Sequence, residues 1–139
     1  MIKEYVKPSR LSIAPLTGLS PVMGFIVSGQ YQISYLVTLF FIGFLGHAYG
    51  IVHNDIFEYN IDKNIKDFID RPLVSGTITK QKAWIFGMGC LIVMFALAVY
   101  LAISTQKYYS IIFLTIPVVC VTLYNIISKK IPLVIPFSQ

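Results

Sequence analysis

Charge is scarce in this 139-residue chain, where Asp, Glu, Lys and Arg make up 12% of the residues against about 25% in an ordinary soluble domain. The scarcity is also uneven. None of the four occurs from Leu11 to Asn54, from Ala83 to Gln106 or from Tyr108 to Ser128. With 56% of the chain hydrophobic, gaps this long exclude a water-soluble globule. A bilayer core of about 30 Å takes about 20 helical residues at 1.5 Å each, so the first gap fits two spans and the others one each. The fold class expected is an all-α polytopic membrane protein with four transmembrane helices.

Other absences narrow the function. The two cysteines, Cys90 and Cys120, fall inside expected spans with no CxxC spacing and no neighbouring His, which leaves them packing roles rather than a metal site. No GxxxxGK[ST] run is present, so nucleotide hydrolysis has no support. The net charge of +5 does not imply a nucleic-acid partner, because the basic residues sit beside apolar spans rather than in an aromatic-interleaved soluble patch. The first apolar stretch is far longer than the roughly 7–15 residues of a signal-peptide core, so Met1 is expected to be retained.

The spans are expected at Leu11 to Ser28, from Ile33 to a polar end at His53, from Ala83 to Ile103, and from Tyr108 to Ile127. Pro15 and Pro21 are tolerated in the first, and Pro117 is expected to kink the fourth. Gly43, Gly46 and Gly50 allow other helices to approach the second closely. Residues 1–139 are read as one membrane domain, with 54–82 as its motif-bearing segment. Four spans place the N-terminus, this segment and the C-terminus on one side with ten basic residues, against Lys107 alone on the other. The positive-inside rule makes that side cytoplasmic.

The 54–82 segment holds five of the six acidic residues. Asp55, Glu58 and Asp62 stand at i, i+3 and i+7, which on a helix is one face; Asp62 lies only about 20° around the axis from Asp55, with Asn54 one turn before Glu58. Like charges so placed repel, and an oxygen-rich set suits a hard divalent cation. Mg²⁺ typically takes one or two carboxylates, several waters and the oxygens of a substrate phosphate. Zn²⁺ fits less well, since it prefers a compact N/S-rich set. Downstream, Lys63, Lys66 and Arg71 supply cations, and Arg can hold phosphate oxygens bidentately. The alternative is a solvated loop whose charges pair with one another.

Asn54 to Asp62 resembles the NDxxDxxxD signature of the UbiA-type intramembrane prenyltransferases, and Arg71-Pro72-Leu73 with Gly76 resembles that family's RPLxSG continuation. Both occur in order, directly after a second span. Glu58 departs from the usual Asp, and Asp67 and Asp70 stand where relatives often carry basic residues. The resemblance implies a helical membrane enzyme in which Mg²⁺ holds a polyprenyl diphosphate, the allylic carbon–oxygen bond ionises and an aromatic or other lipophilic acceptor captures the isoprenoid carbon. On that reading Asn54, Asp55, Glu58 and Asp62 form the catalytic motif, with Asp55, Glu58 and Asp62 as metal ligands. Lys66 and Arg71 hold phosphate oxygens. Arg10, just before the first span, is within reach of a substrate phosphate, with snorkelling to lipid as its alternative.

The family resembles a bundle of about nine helices with a second aspartate-rich motif in its C-terminal half, and no second motif is found here. The chain is therefore read as an N-terminal half that needs a complementary C-terminal half as partner and is inactive, or nearly so, in isolation. The competing function is a non-catalytic four-helix cation-binding or scaffold protein in the bilayer. His53 beside the motif is a candidate for substrate contact or proton transfer, as is His47 more weakly. Tyr49, Phe57 and Tyr59 flank the carboxylates with aromatic faces suited either to an allylic cation or to packing. Tyr124-Asn125 near the end of the fourth span is a further candidate to approach the site.

Overall fold

The computed structural model describes residues 13–128, and within them the regular structure is all helical, with no strand. Four α-helices follow in order: α1 Ala14–Val27, α2 Ile33–Asp62, α3 Lys80–Thr105 and α4 Tyr109–Ser128. Three are long and apolar enough to cross a membrane, whereas α1 is apolar but shorter, 14 residues or about 21 Å. Leu11, the start expected for the first span, lies outside the described residues. So do Arg10, both chain termini and the basic residues they contribute.

The largest difference from the sequence reading is at α2. Its helix does not stop at His53 but continues through the motif to Asp62, 30 residues in all. Nothing in Asn54 to Ile61 breaks it, since the stretch has no Pro or Gly and each polar side chain lies three or four residues from another. α3 begins three residues earlier than expected, because Thr79 caps it: the Thr79 hydroxyl oxygen accepts from the Lys82 N–H at 3.3 Å. It ends at Gln106 in the left-handed conformation, φ 57°. α4 runs through Pro117 as one helix.

Small residues set the helix crossings. A Cβ on Gly43 would come within 2.7 Å of the Thr17 carbonyl oxygen, and one on Gly18 within 2.9 Å of Phe40, so α1 and α2 meet nearly backbone to backbone. α3 approaches the next face of α2 through Gly87 on Val52 and Met94 on Gly46. Gly50, expected to serve in the same way, has open space beside it. α2 packs extensively on α1 and α3 and much less on α4. Ile42, Met94, Ala98 and Leu101 form the buried centre between α2 and α3, while α4 exposes most of its apolar surface, including Ile112, Phe113 and Ile116.

The 63–79 connection is also folded. Leu73 and Ile78 are buried against Val52 and Ala83, with Ile56, Tyr59 and Phe86 around them. Burial of each such side chain is worth roughly 1.5–3 kcal/mol. The Ile78 N–H donates to the Pro72 carbonyl at 3.0 Å and the Ser75 N–H to the Arg71 carbonyl at 2.8 Å, closing a turn that passes through Gly76 at φ +75°. Arg71-Pro72-Leu73 is thereby pressed back onto the end of α2.

Candidate active site

The continuous helix places Asn54, Asp55, Glu58 and Asp62 on about the last two and a half turns of α2, on one face as the spacing requires. Asn54 Nδ2 donates to Glu58 Oε2 at 2.7 Å, the i, i+4 bond between them. Asp62 is 2% exposed and accepts from Arg71 Nη1 in an ion pair. The same nitrogen lies 3.6 Å from Glu58 Oε2. The guanidinium carbon sits 3.6 Å from the Phe68 ring centroid, so Arg71 is stacked on one side and bonded to carboxylates on the other. Asp55 is half-buried on the same face.

Lys66 lies exposed on the 3₁₀ turn Lys66–Phe68, and Asp67 beside it is exposed as well. The structure therefore joins Asn54, Glu58, Asp62 and Arg71 in one connected cluster and leaves Lys66 outside it. Two lysines converge on Tyr59: Lys80 Nζ is 3.9 Å and Lys63 Nζ 6.0 Å from its ring centroid. Neither Lys80 nor Phe68 was singled out from the sequence, because their partners are set by the folding of the 63–79 connection rather than by spacing along one helix.

His53 belongs to a different cluster. At 100° per residue it points about 140–180° away from Glu58, Asp55 and Asp62 around α2. It is 3% exposed and packs among Tyr49, Phe57 and Trp84, with ring centroids 5.3, 4.6 and 5.7 Å away. Asn125 Nδ2 of α4 and His53 Nδ1 are hydrogen-bonded at 2.9 Å. One turn earlier Tyr49 and Thr122 share a hydroxyl hydrogen bond of 3.2 Å. Thus Asn125 approaches the histidine rather than the carboxylates, and Tyr124, 66% exposed, turns away. This face ties α4 to α2.

The fit of a divalent cation rests on the donor set. Asn54, Asp55, Glu58 and Asp62 offer only oxygen, the type a hard cation prefers, and Mg²⁺ asks no more than one or two carboxylates beside phosphate and water. Among the described residues no three His, Cys, Asp or Glu side chains close into a ready-made cage. The residues present therefore suit a hard cation by donor type without enclosing one. A cavity of about 580 Å³ lies elsewhere, among Phe25, Tyr35, Leu39, Leu101, Lys107 and Phe113, at the opposite end of the helices from the carboxylates.

Comparison with known proteins agrees with the motif. Residues 16–136 match the model of the UbiA prenyltransferase family. Digeranylgeranylglyceryl phosphate synthase of Methanocaldococcus jannaschii is 33% identical over 104 residues, and that of Saccharolobus solfataricus 31% identical over 105. Each alignment covers 73% of this chain but 36% of the relative, so the chain spans about a third of the length of the curated relatives it matches. No solved structure gives a significant match. With the family's model covering nearly the whole chain, and the carboxylate helix and arginine turn folded against each other, the chain belongs to the UbiA prenyltransferase family.

Proposed function

We propose that this chain carries the diphosphate-binding half of an enzyme that moves a prenyl group from a polyprenyl diphosphate to a lipophilic acceptor in the bilayer. The observation that carries the reading is the carboxylate face of α2 with a folded arginine turn against it, in a chain of this family. Asp55, Glu58 and Asp62 would hold Mg²⁺, which when bound supplies positive charge to the leaving diphosphate. Asn54 fixes the Glu58 carboxylate through its 2.7 Å hydrogen bond. Lys66 and Arg71, with Arg10 outside the described residues, supply cations for phosphate oxygens. The names of the two archaeal relatives make a prenylated glyceryl phosphate the first acceptor to try. The ten-to-one bias of basic residues supports a cytoplasmic site with both termini on the same side.

Because the alignments cover only 36% of each relative, the reading assigns the rest of the acceptor site to a complementary C-terminal half. The test is transfer from labelled geranylgeranyl diphosphate in lipid vesicles, with the chain alone and co-expressed with the C-terminal half of one of these relatives. Mg²⁺-dependent transfer is expected only from the pair, and an Asp55→Ala, Asp62→Ala double variant should abolish it while still inserting. A pair that neither binds Mg²⁺-diphosphate nor transfers a prenyl group would overturn the reading in favour of a non-catalytic membrane protein.

A further inference from the structure

Arg71 stands where the sequence reading places a metal ion's neighbours. One nitrogen, Nη1, reaches both Asp62 Oδ2 and Glu58 Oε2, and Glu58 Oε2 also accepts from Asn54. Asp62 is a buried carboxylate, and a buried charge that loses its partner is strongly destabilising. The arginine is not brought there by charge alone. Leu73 and Ile78 anchor its turn, and the Phe68 ring backs the guanidinium. A divalent cation on the same carboxylate oxygens would meet a fixed positive charge a few ångströms away, so the two compete. A diphosphate removes the conflict, since its oxygens offer the guanidinium a replacement for the carboxylates it gives up.

We propose that Arg71 is the resident counter-ion of the carboxylate face and is exchanged onto the ligand when metal and diphosphate bind together, so that metal alone is held weakly. The proposal rests on the metal-diphosphate reading and adds its regulation: the site accepts the cation only in the company of the anion. No large movement is required, because the turn stays anchored and only the end of the side chain changes partners.

The test uses Mn²⁺ as the metal probe and inorganic diphosphate as the anion, on the protein in lipid nanodiscs, with binding followed by electron paramagnetic resonance. In the unmodified protein diphosphate should tighten Mn²⁺ binding. Arg71→Gln should bind Mn²⁺ alone roughly tenfold to a hundredfold more tightly, the range one charge-assisted hydrogen bond corresponds to, and should gain less from diphosphate. Mn²⁺ binding that is weakened by Asp62→Asn but not strengthened by Arg71→Gln overturns the exchange and leaves the metal reading standing. Mn²⁺ binding that is absent, or indifferent to Asp62→Asn, overturns both.

A second readout does not depend on Arg71→Gln folding. Placing Phe68→Trp in a Trp84→Phe background puts the only indole under the guanidinium. Its emission should change when Mg²⁺ and diphosphate bind together and stay unchanged with Mg²⁺ alone. Unchanged emission despite measured diphosphate binding shows that the arginine keeps its place, and the proposal fails.

Discussion

Two polar clusters sit back to back on the same turns of α2, and they are held in opposite ways. On the carboxylate face, Asp62 and Glu58 are bridged by Arg71, nine residues beyond Asp62 and carried by the adjoining turn. The His53 face is satisfied by Asn125, 72 residues away on another helix. The first is near the polar end, charged, and built from groups that can change partners. The second is a buried hydrogen bond between two helices, enclosed by Tyr49, Phe57 and Trp84. Polar residues one position apart in sequence, His53 and Asn54, therefore belong to different clusters, one tied to α4 and the other to the carboxylates.

The comparison breaks most visibly at Asp62. Asp62→Ala should remove Mg²⁺-dependent diphosphate binding and, by leaving Arg71 without its main partner, lower stability by an amount approaching the roughly 3–5 kcal/mol of a half-broken buried pair. Isothermal titration and melting in nanodiscs check the two effects. If only melting changes, the carboxylate face is as structural as the histidine face. Next, Gly43→Ala should cost about 1–3 kcal/mol by driving a methyl group onto the Thr17 carbonyl, and Gly50→Ala should be neutral within error. Equal losses at the two positions would contradict the α1–α2 crossing.

On the other face, Asn125→Leu should lower stability by about 1–2 kcal/mol, in keeping with a buried hydrogen bond between membrane helices, and leave Mn²⁺-diphosphate affinity unchanged. A selective loss of affinity would bring the histidine into the ligand site. The smallest effect expected is for Lys80→Ala, roughly 0.5–1 kcal/mol for a cation over an exposed-side aromatic ring, read as a shift in melting alone. A larger fall in diphosphate affinity than in stability would add Lys80 to the phosphate-binding cations.

Periodicity and charge placement were enough to locate the apolar segments, since bilayer thickness fixes a minimum run of uncharged residues whatever the packing. The i, i+3, i+7 spacing likewise put Asp55, Glu58 and Asp62 on one face as soon as the helix was granted. That α2 continues unbroken through them depended on local geometry that a hydropathy break at His53 concealed. The polar end of a span looks like its end.

What the tertiary structure decided is which groups meet. Spacing assigns Arg71 and Lys66 alike as cations near a motif, yet the burial of Leu73 and Ile78 turns one inward onto Asp62, while the other stays in solvent. It makes His53 and Asn125 partners, a pairing with no mark in either local sequence because it is fixed by where α4 lies against α2. The sequence determined the helices, the carboxylate face and the family, all properties of neighbours within a few turns. Contacts between segments far apart in the chain depend on how small residues such as Gly18, Gly43 and Gly87 let the helices cross, and only the folded chain settles those.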